Sequence, residues 1–242
     1  MNLIIRRARD EANQNIPMEE LDEVAELLSA SYSTNSNNAE LNLPFHRAII
    51  EAQHVSGENW IALDGARIVA LAGWFSPGRR INPEDYHQVA AGFGAFRAQM
   101  TSEVETWWTE EFVPQYNRMC EETFGLERRS QMWHLQMLCT HPDYRRQGIA
   151  SSLVKHKEKQ LATGNHLHEM RLEASSPQVI NLFERWGWKV ASSTGSQPNV
   201  IHTNYGELHF CCIEKTAEPP ILTRDMFGQC PFQVETSSLL FV

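Results

Sequence analysis

A basic turn that joins a strand pattern to a helix pattern constrains the fold of this chain most. From Met132 to Thr140 the side chains alternate in the two-residue period of a strand. His141-Pro142-Asp143-Tyr144 then stops the strand, and a helix pattern runs from about Gly148 to Leu161. This handover from strand to helix favours an α/β sheet layered with helices.

The turn has the features of an anion-binding site. The first amides of a helix have no intrahelical acceptors, and the helix dipole adds partial positive charge there, so a phosphate is stabilised at that point. Gly148 lets the backbone approach a ligand closely, and Arg145 and Arg146 can supply charge-assisted hydrogen bonds. Arg145 could equally be a solvated surface residue. The segment matches neither the P-loop nor the three-glycine dinucleotide fingerprint.

The part of the chain before this turn mixes strands and helices. Its predicted elements are a strand at residues 3–7 and helices at residues 18–32 and 43–53. Two apolar runs, Trp60–Leu63 and Arg67–Phe75, flank Asp64-Gly65, which is a strong hairpin signal. A helical insertion is then predicted at about residues 77–130, where tryptophans and other aromatic residues stand beside glutamates.

The part after the turn continues the alternation. His168–Ala174 is a predicted strand. Ser176-Pro177 has the form of a helix N-cap followed by proline at the first helical position, and Gly187 is well placed to end that helix. A last strand is predicted at residues 206–213, and an irregular tail at about residues 217–242.

Charge and composition exclude several functional classes. The net charge of −9 argues against broad nucleic-acid binding, which needs a basic surface, and weakly favours a cationic partner. No apolar run is long enough for a membrane span, and the N-terminus does not read as a secretory signal, so a cytoplasmic location is expected. The five cysteines lack zinc-site spacing; free thiols and no metal site are predicted.

Three sequence pieces together resemble the GNAT acyl-CoA N-acyltransferase superfamily. Arg145-Arg146-Gln147-Gly148-Ile149-Ala150 matches the Arg/Gln-x-x-Gly-x-Gly/Ala pattern, the strand and x-Pro precede it, and Leu182–Trp188 is similar to the family's Leu-Tyr-Glu-x-x-Gly-Phe helix end. The resemblance covers residues 132–190. It implies a mixed, splayed central β-sheet flanked by helices, here as one GNAT-like domain over residues 1–242 that carries the helical insertion and the tail.

The resemblance also implies acetyl-CoA as cosubstrate. Its pyrophosphate would meet backbone amides from Arg146 to Ser151, and its pantetheine arm would pair with the strand backbone around Leu138 and Thr140. A backbone amide of that strand would stabilise the developing oxyanion. The implied cofactor-binding residues are Leu138, Cys139, Thr140, Arg145, Arg146, Gln147, Gly148, Ile149, Ala150 and Ser151.

Acetyl transfer to an amine requires a base and can use an acid. His134 is the first candidate base, because family members often place an acidic residue at that place on the strand; it could instead be a hydrogen-bonded core histidine. Glu173 is a second candidate base, or else a member of a structural salt bridge. The tyrosine that often serves as the acid in this family is replaced here by Phe183. Either another group serves, with Tyr205 and Tyr144 as the candidate acids, or the thiolate leaves without protonation, or activity is reduced.

Three functional hypotheses follow. The acceptor is a small-molecule amine, a protein lysine or N-terminus, or the chain is a non-catalytic acyl-CoA-binding module, which Phe183 would explain. The insertion is either a lid packed over one end of the sheet or a wall of the acceptor pocket. The sequence indicates neither the acyl chain length nor the oligomeric state.

Overall fold

The computed structural model describes residues 3–8, 18–32, 39–82, 84–163, 166–191 and 199–217. The tail predicted from about residue 217 lies outside these residues apart from Ala217, and so does Cys230. The chain forms a mixed α/β structure in which helices flank an open, mostly antiparallel sheet. The predicted fold class is therefore confirmed.

The central sheet contains eight strands, with β1-β2-β3-β4-β5-β8-β6 in spatial order and β7 paired with β8. Only β4 and β5 pair in parallel, and the other pairings are antiparallel. The strands are β1 (Leu3–Arg7), β2 (Glu58–Asp64), β3 (Arg67–Phe75), β4 (Trp133–Thr140), β5 (His168–Ala174), β6 (Lys189–Val190), β7 (Asn199–Thr203) and β8 (Gly206–Ala217).

Helices form the remaining layers. The described helices are α1 (Met18–Tyr32), α2 (Ala39–Ser56), α3 (Tyr86–Gln88), α4 (Gly94–Arg97), α5 (Ser102–Thr106), α6 (Val113–Phe124), α7 (Leu126–Gln131), α8 (Ile149–Ala162) and α9 (Pro177–Arg185). Two π-helical turns, Val89–Phe93 and Trp107–Phe112, and a 3₁₀ turn, Pro142–Tyr144, connect some of them. In the chain, helices α3–α7 come between β3 and β4 and form the insertion.

The sheet has a buried core on each face. Helices α1 and α2 pack on one face around Leu28, Ile50 and Leu71, and helices α8 and α9 pack on the other around Leu153 and Phe183. A third cluster lies where α6 covers β8, with Met119, Cys120, Phe124, Met132, Ile201 and Cys212 as its buried members. The insertion is thus fixed to the sheet by its own apolar contacts.

A buried lysine holds α8 against the sheet. The ammonium of Lys157 lies 2.8 Å from a carboxylate oxygen of Glu58 on β2 and 3.6 Å from the centre of the Trp133 ring at the start of β4. Because both interactions favour the cation, the charge of a side chain only 2% exposed is compensated inside the core. The start of α8 therefore has a fixed position relative to β4.

Sequence predictions of the main elements agree with the structure, with differences at some ends. The hairpin, β5 and the start of α9 are confirmed, and Ser176 Oγ accepts a hydrogen bond from the amide of Val179 at 3.3 Å. Helix α2 begins four residues before the predicted start at Leu43, and β8 extends to Ala217. Strand β7 was not predicted, because its five residues show no clear alternation of apolar side chains.

Among the described residues, no helix combines the length and the apolar character that a bilayer crossing requires. The four described cysteines, Cys120, Cys139, Cys211 and Cys212, are buried thiols that form no disulfide, as the sequence predicted for them.

Candidate functional site

The sheet opens between its two parallel strands. Strands β4 and β5 are in register at two positions only, Trp133 with Met170 and His134 with Arg171. Beyond this point β4 continues to Thr140 along β3, and β5 continues to Ala174 along β8. The pairing of β3 with β4 also shifts between Gly73 and Trp74, which leaves Gln136 without an opposite residue. This β-bulge bends β4 where it leaves β5, and a gap follows.

The basic turn lies at the end of β4. Arg146 has φ of 63° and is the one non-glycine residue with positive φ in the described part of the chain. Gly148 follows with φ of 79° as the N-cap of α8. The amide of Ser152 makes the bond back to the carbonyl of Gly148, 3.0 Å away, so the amides just before it have no acceptor one turn earlier. A non-glycine residue in this conformation is strained, and such strain is common where ligands bind.

The turn fits a diphosphate. The side chains of Arg145, Arg146 and Gln147 are exposed, and a Cβ added to Gly148 would meet nothing nearer than the hydroxyl of Ser151 at 3.8 Å. Arg145 Nε donates to the carbonyl of Thr140 at 3.3 Å, which ties this guanidinium to the last residue of β4. Open amides, two arginines and a helix N-terminus are the donor set that a phosphate group requires.

The other residues predicted to bind the cofactor lie on either side of the turn. Leu138, Cys139 and Thr140 occupy the part of β4 beyond the last pairing with β5. Thr140 Oγ1 is buried and has no hydrogen-bond partner among the described residues. Ile149, the first residue of α8, is buried, whereas Ala150 and Ser151 in the same turn are partly exposed. All ten predicted residues thus follow one path along β4 and around the turn.

The two candidate bases meet at the point where the strands separate. His134 Nε2 lies 2.8 Å from Glu173 Oε2, and both side chains are almost completely buried. The other carboxylate oxygen, Oε1, accepts a hydrogen bond from the guanidinium of Arg171. Because β5 has a two-residue period, Arg171 and Glu173 share the face on which His134 also lies. His134 is therefore a hydrogen-bonded core histidine and Glu173 a member of a buried salt bridge, which are the structural roles expected from the sequence as alternatives to catalysis.

The charges of this cluster follow from its contacts. Burial would raise the pKa of Glu173, but the positive charge that His134 carries when protonated, the charge of Arg171 and the hydrogen bonds from His134 and Tyr116 overcome this and lower it. Burial, followed by the charge of Arg171, lowers the pKa of His134 below its ordinary value. A carboxylate beside a neutral imidazole requires a proton on Nε2, because a carboxylate can only accept. Nδ1, which is buried without a partner among the described residues, then carries the free lone pair.

Helix α6 of the insertion covers this cluster. The hydroxyl of Tyr116 donates to Glu173 Oε2 at 2.6 Å, and the thiol of Cys120 lies 3.6 Å from Oε1. Burial and the charge of Glu173 raise the pKa of Tyr116, so its phenol keeps its proton. Glu173 Oε, Cys120 Sγ and Cys212 Sγ also lie within 4.8 Å of one another. The carboxylate of Glu173 therefore accepts from four donors, His134, Arg171, Tyr116 and Cys120.

The candidate acids lie elsewhere. Tyr205, in the turn between β7 and β8, is 63% exposed, and its hydroxyl donates to Glu103 of the insertion at 2.6 Å. That bond raises the pKa of Tyr205. Tyr144 donates to Asp64 Oδ2 at 3.2 Å. Phe183 is buried between Trp186 and Trp188. The structure therefore joins His134 and Glu173 but does not bring Tyr205 to them.

Two members of the cluster were missed by the sequence predictions. Arg171 carries the signal that would have found it, because it precedes Glu173 by two residues on one strand and must share its face. Tyr116 gives no such signal, since its contact with Glu173 crosses from the insertion to β5.

Residues 87–207 match the sequence model of the acetyltransferase (GNAT) domain, which is half of the chain. No relative was found among curated protein sequences.

Solved structures share the fold at low sequence identity. A Corynebacterium glutamicum protein described as histone acetyltransferase HPA2 and related acetyltransferase has a TM-score of 0.51 and 17% identity, covering 93% of this chain and 99% of its own. The polyamine N-acetyltransferase of Drosophila melanogaster has a TM-score of 0.54 and 13% identity, with 88% and 99% covered. An agmatine N-acetyltransferase mutant has a TM-score of 0.52 and 12% identity, with 89% and 100% covered.

Proposed function

Because this chain belongs to the GNAT acetyltransferase family, we propose that it transfers the acetyl group of acetyl-CoA to a primary amine of a small molecule. The observation that carries this proposal is the gap between β4 and β5, which ends at the strained basic turn before α8. The gap would take the pantetheine arm that carries the thioester, and the basic turn at its end would take the diphosphate. Membership of the acetyltransferase family supports acetyl-CoA as the cosubstrate.

Cofactor binding would use the residues along this path. Amides from Arg146 to Ser151, with the guanidinium groups of Arg145 and Arg146, would hold the pyrophosphate. The backbone of Leu138, Cys139 and Thr140 would pair with the pantetheine arm as an added strand. A backbone amide of β4 would stabilise the oxyanion that forms on the thioester carbonyl.

His134 would remove the proton from the acceptor amine, directly or through a water. A protonated amine has no lone pair and cannot attack the thioester, so a base is required. Nδ1 of His134 carries a lone pair at neutral pH, while Glu173 accepts the proton on Nε2 and so holds the ring and its tautomer. Glu173 then acts as the positioning partner of the base, with Arg171 and Tyr116 holding its carboxylate.

The departing thiolate would take a proton from Tyr205 or Tyr144, since Phe183 has no hydroxyl. Separate Tyr205→Phe and Tyr144→Phe variants test this step by their kcat with a fixed amine. A fall of about 100-fold or more in one variant identifies the acid. An unchanged kcat in both would mean that the thiolate leaves without a protein proton.

The insertion favours a small acceptor over a protein. Helix α6 covers Glu173 through Tyr116 and packs against β8, so this side of the site is not an open groove. A protein lysine would need an open groove there. The acidic residues and tryptophans of the insertion are suited to a cationic, partly apolar amine.

Two measurements test the proposal. Thiol release from acetyl-CoA is followed against a panel of amines, and calorimetry measures coenzyme A binding to the wild type, Arg145→Ala and the surface control Arg185→Ala. We expect turnover with at least one amine and about ten-fold weaker coenzyme A binding in Arg145→Ala alone. Binding without turnover on any amine would support the non-catalytic module that Phe183 motivates. Failure of the wild type to bind coenzyme A would overturn both the acetyltransferase and the non-catalytic module.

A further inference from the structure

A small basic cavity opens beside the His134–Glu173 cluster. Its volume is about 270 Å³, and it is lined by residues that follow β3 and precede β4 together with one residue of β5. Four of the lining residues are arginines, Arg79, Arg80, Arg129 and Arg171, against the single carboxylate of Asp85. This concentration of positive charge contrasts with the net charge of −9 of the chain.

Arg171 is the most buried of the four arginines that line this cavity. The residue is 4% exposed, and its Nε is buried with no hydrogen-bond partner among the described residues. Its guanidinium reaches Glu173 with another nitrogen. A buried donor without an acceptor costs free energy, and because Arg171 lines the cavity, its incompletely paired guanidinium favours a negative charge there.

The other arginines leave positive charge at the cavity mouth. Arg129 is held by Asn117 at 2.9 Å and by Glu121 at 3.4 Å. Arg79 and Arg80 are exposed and form no salt bridge with another residue in the described ranges. The carboxylate of Asp85 is occupied by the amides of His87 and Gln88, which it caps. Nothing in the lining therefore neutralises Arg79 and Arg80.

We propose that this cavity binds a small oxyanion, a carboxylate or phosphate group, between Arg171 at its base and Arg79 and Arg80 at its mouth. This oxyanion is either a substituent of the acceptor amine or a separate anion. The first assignment rests on the proposed function. Arg171 opposes His134 at the last paired position of β4 and β5, so the bound group lies next to the start of the gap. Arg171 also donates a hydrogen bond to Glu173, the carboxylate that orients His134.

Calorimetric titration with inorganic phosphate tests the site without any need for turnover. Phosphate can also bind the turn at Arg145, so every titration uses an Arg145→Ala background. To this background are added either Arg79→Ala/Arg80→Ala, which removes two positive charges, or the control Arg185→Ala on α9, which removes one. We expect phosphate binding to weaken about ten-fold or more with the first change and to stay constant with the second. Equal binding in all three proteins would overturn the proposal.

A second measurement identifies the source of the anion. Wild type and Arg79→Ala/Arg80→Ala are assayed with pairs of amines that differ only by a carboxylate. If the acceptor carries the anion, the wild type prefers the carboxylate-bearing amine by about ten-fold or more, and the variant loses this preference. If the anion is separate, phosphate changes kcat/KM for plain amines in the wild type alone. Absence of turnover would contradict the proposed function and leave the phosphate titration as the test of the cavity.

Discussion

His134 Nε2 on β4 and Glu173 Oε2 on β5 are 2.8 Å apart at the position where the two parallel strands separate. The carboxylate determines which imidazole nitrogen holds the proton, and the remaining nitrogen is left with a lone pair. Arg171 and Tyr116 hold the carboxylate in turn. A core salt bridge and an oriented base are therefore compatible roles for the same pair.

Replacing His134 by Gln should lower kcat by about 100-fold to 10,000-fold, because the amine then loses its general base. Coenzyme A affinity should stay within about two-fold of the wild type, since the turn at Gly148 is untouched. Steady-state kinetics and calorimetry measure the two effects. The exposed His202→Gln serves as control, and a kcat for His134→Gln within about three-fold of the wild type would remove His134 from the mechanism.

Replacing Glu173 by Gln should lower the free energy of unfolding by about 3–5 kcal/mol. The substitution removes the charge that compensates Arg171, whose side chain is only 5% exposed. Denaturant unfolding monitored by tryptophan fluorescence measures the change, with the exposed Glu184→Gln as control. A loss below about 1 kcal/mol would show that the guanidinium charge is compensated elsewhere.

Substituting Ala for Gly148 should weaken coenzyme A binding by about ten-fold or more and also cost about 1 kcal/mol of stability. Gly148 has φ of 79°, where a Cβ is strained, and the backbone there must approach the diphosphate. Gly65 in the β2–β3 hairpin has φ of 62° and open space around it, so Gly65→Ala is a matched control. Both variants should lose similar stability, and only Gly148→Ala should lose affinity. Equal coenzyme A affinity in the two variants would contradict the assignment.

Stability should fall as the pH drops below about 6.5, the ordinary pKa of histidine. Burial lowers the pKa of His46 to about 4 and also lowers that of His134, so the unfolded chain binds more protons than the folded one below pH 6.5. The free energy of unfolding then decreases by up to about 1.4 kcal/mol per pH unit for each histidine.

Chemical denaturation at pH 7.0 to 5.0 measures this slope. His46→Gln should flatten it, whereas His202→Gln, whose side chain is 71% exposed, should leave it unchanged. Glu173 acts in a lower pH range, because a carboxyl group whose pKa is lowered on folding loses its stabilising effect as the pH falls below about 4.5, the pKa of the unfolded carboxyl. The same slope in His46→Gln as in the wild type would show that His46 is protonated in the folded protein.

Local patterns predicted the elements that carry the proposed cofactor-binding residues. Alternation along β4, proline at position 142 and glycine at position 148 are properties of neighbouring residues, and backbone sterics and hydrogen bonding act over the same few residues. For this reason the β2–β3 hairpin, the start of α8 and the cap at Ser176 follow from the sequence. Strand β7 did not, since its five residues are defined by their pairing with β8.

The sequence by itself determined the strand, the basic turn and the helix start, because these depend on local backbone preference. Only the tertiary structure decided that Tyr116 reaches Glu173, that His134 and Glu173 meet, and that Arg171 lies at the base of a cavity with Arg79 and Arg80 at its mouth. Such contacts join residues far apart in the chain. They form where burial of α6 against β8 and pairing of β4 with β5 offset the entropy of closing the long loops between them.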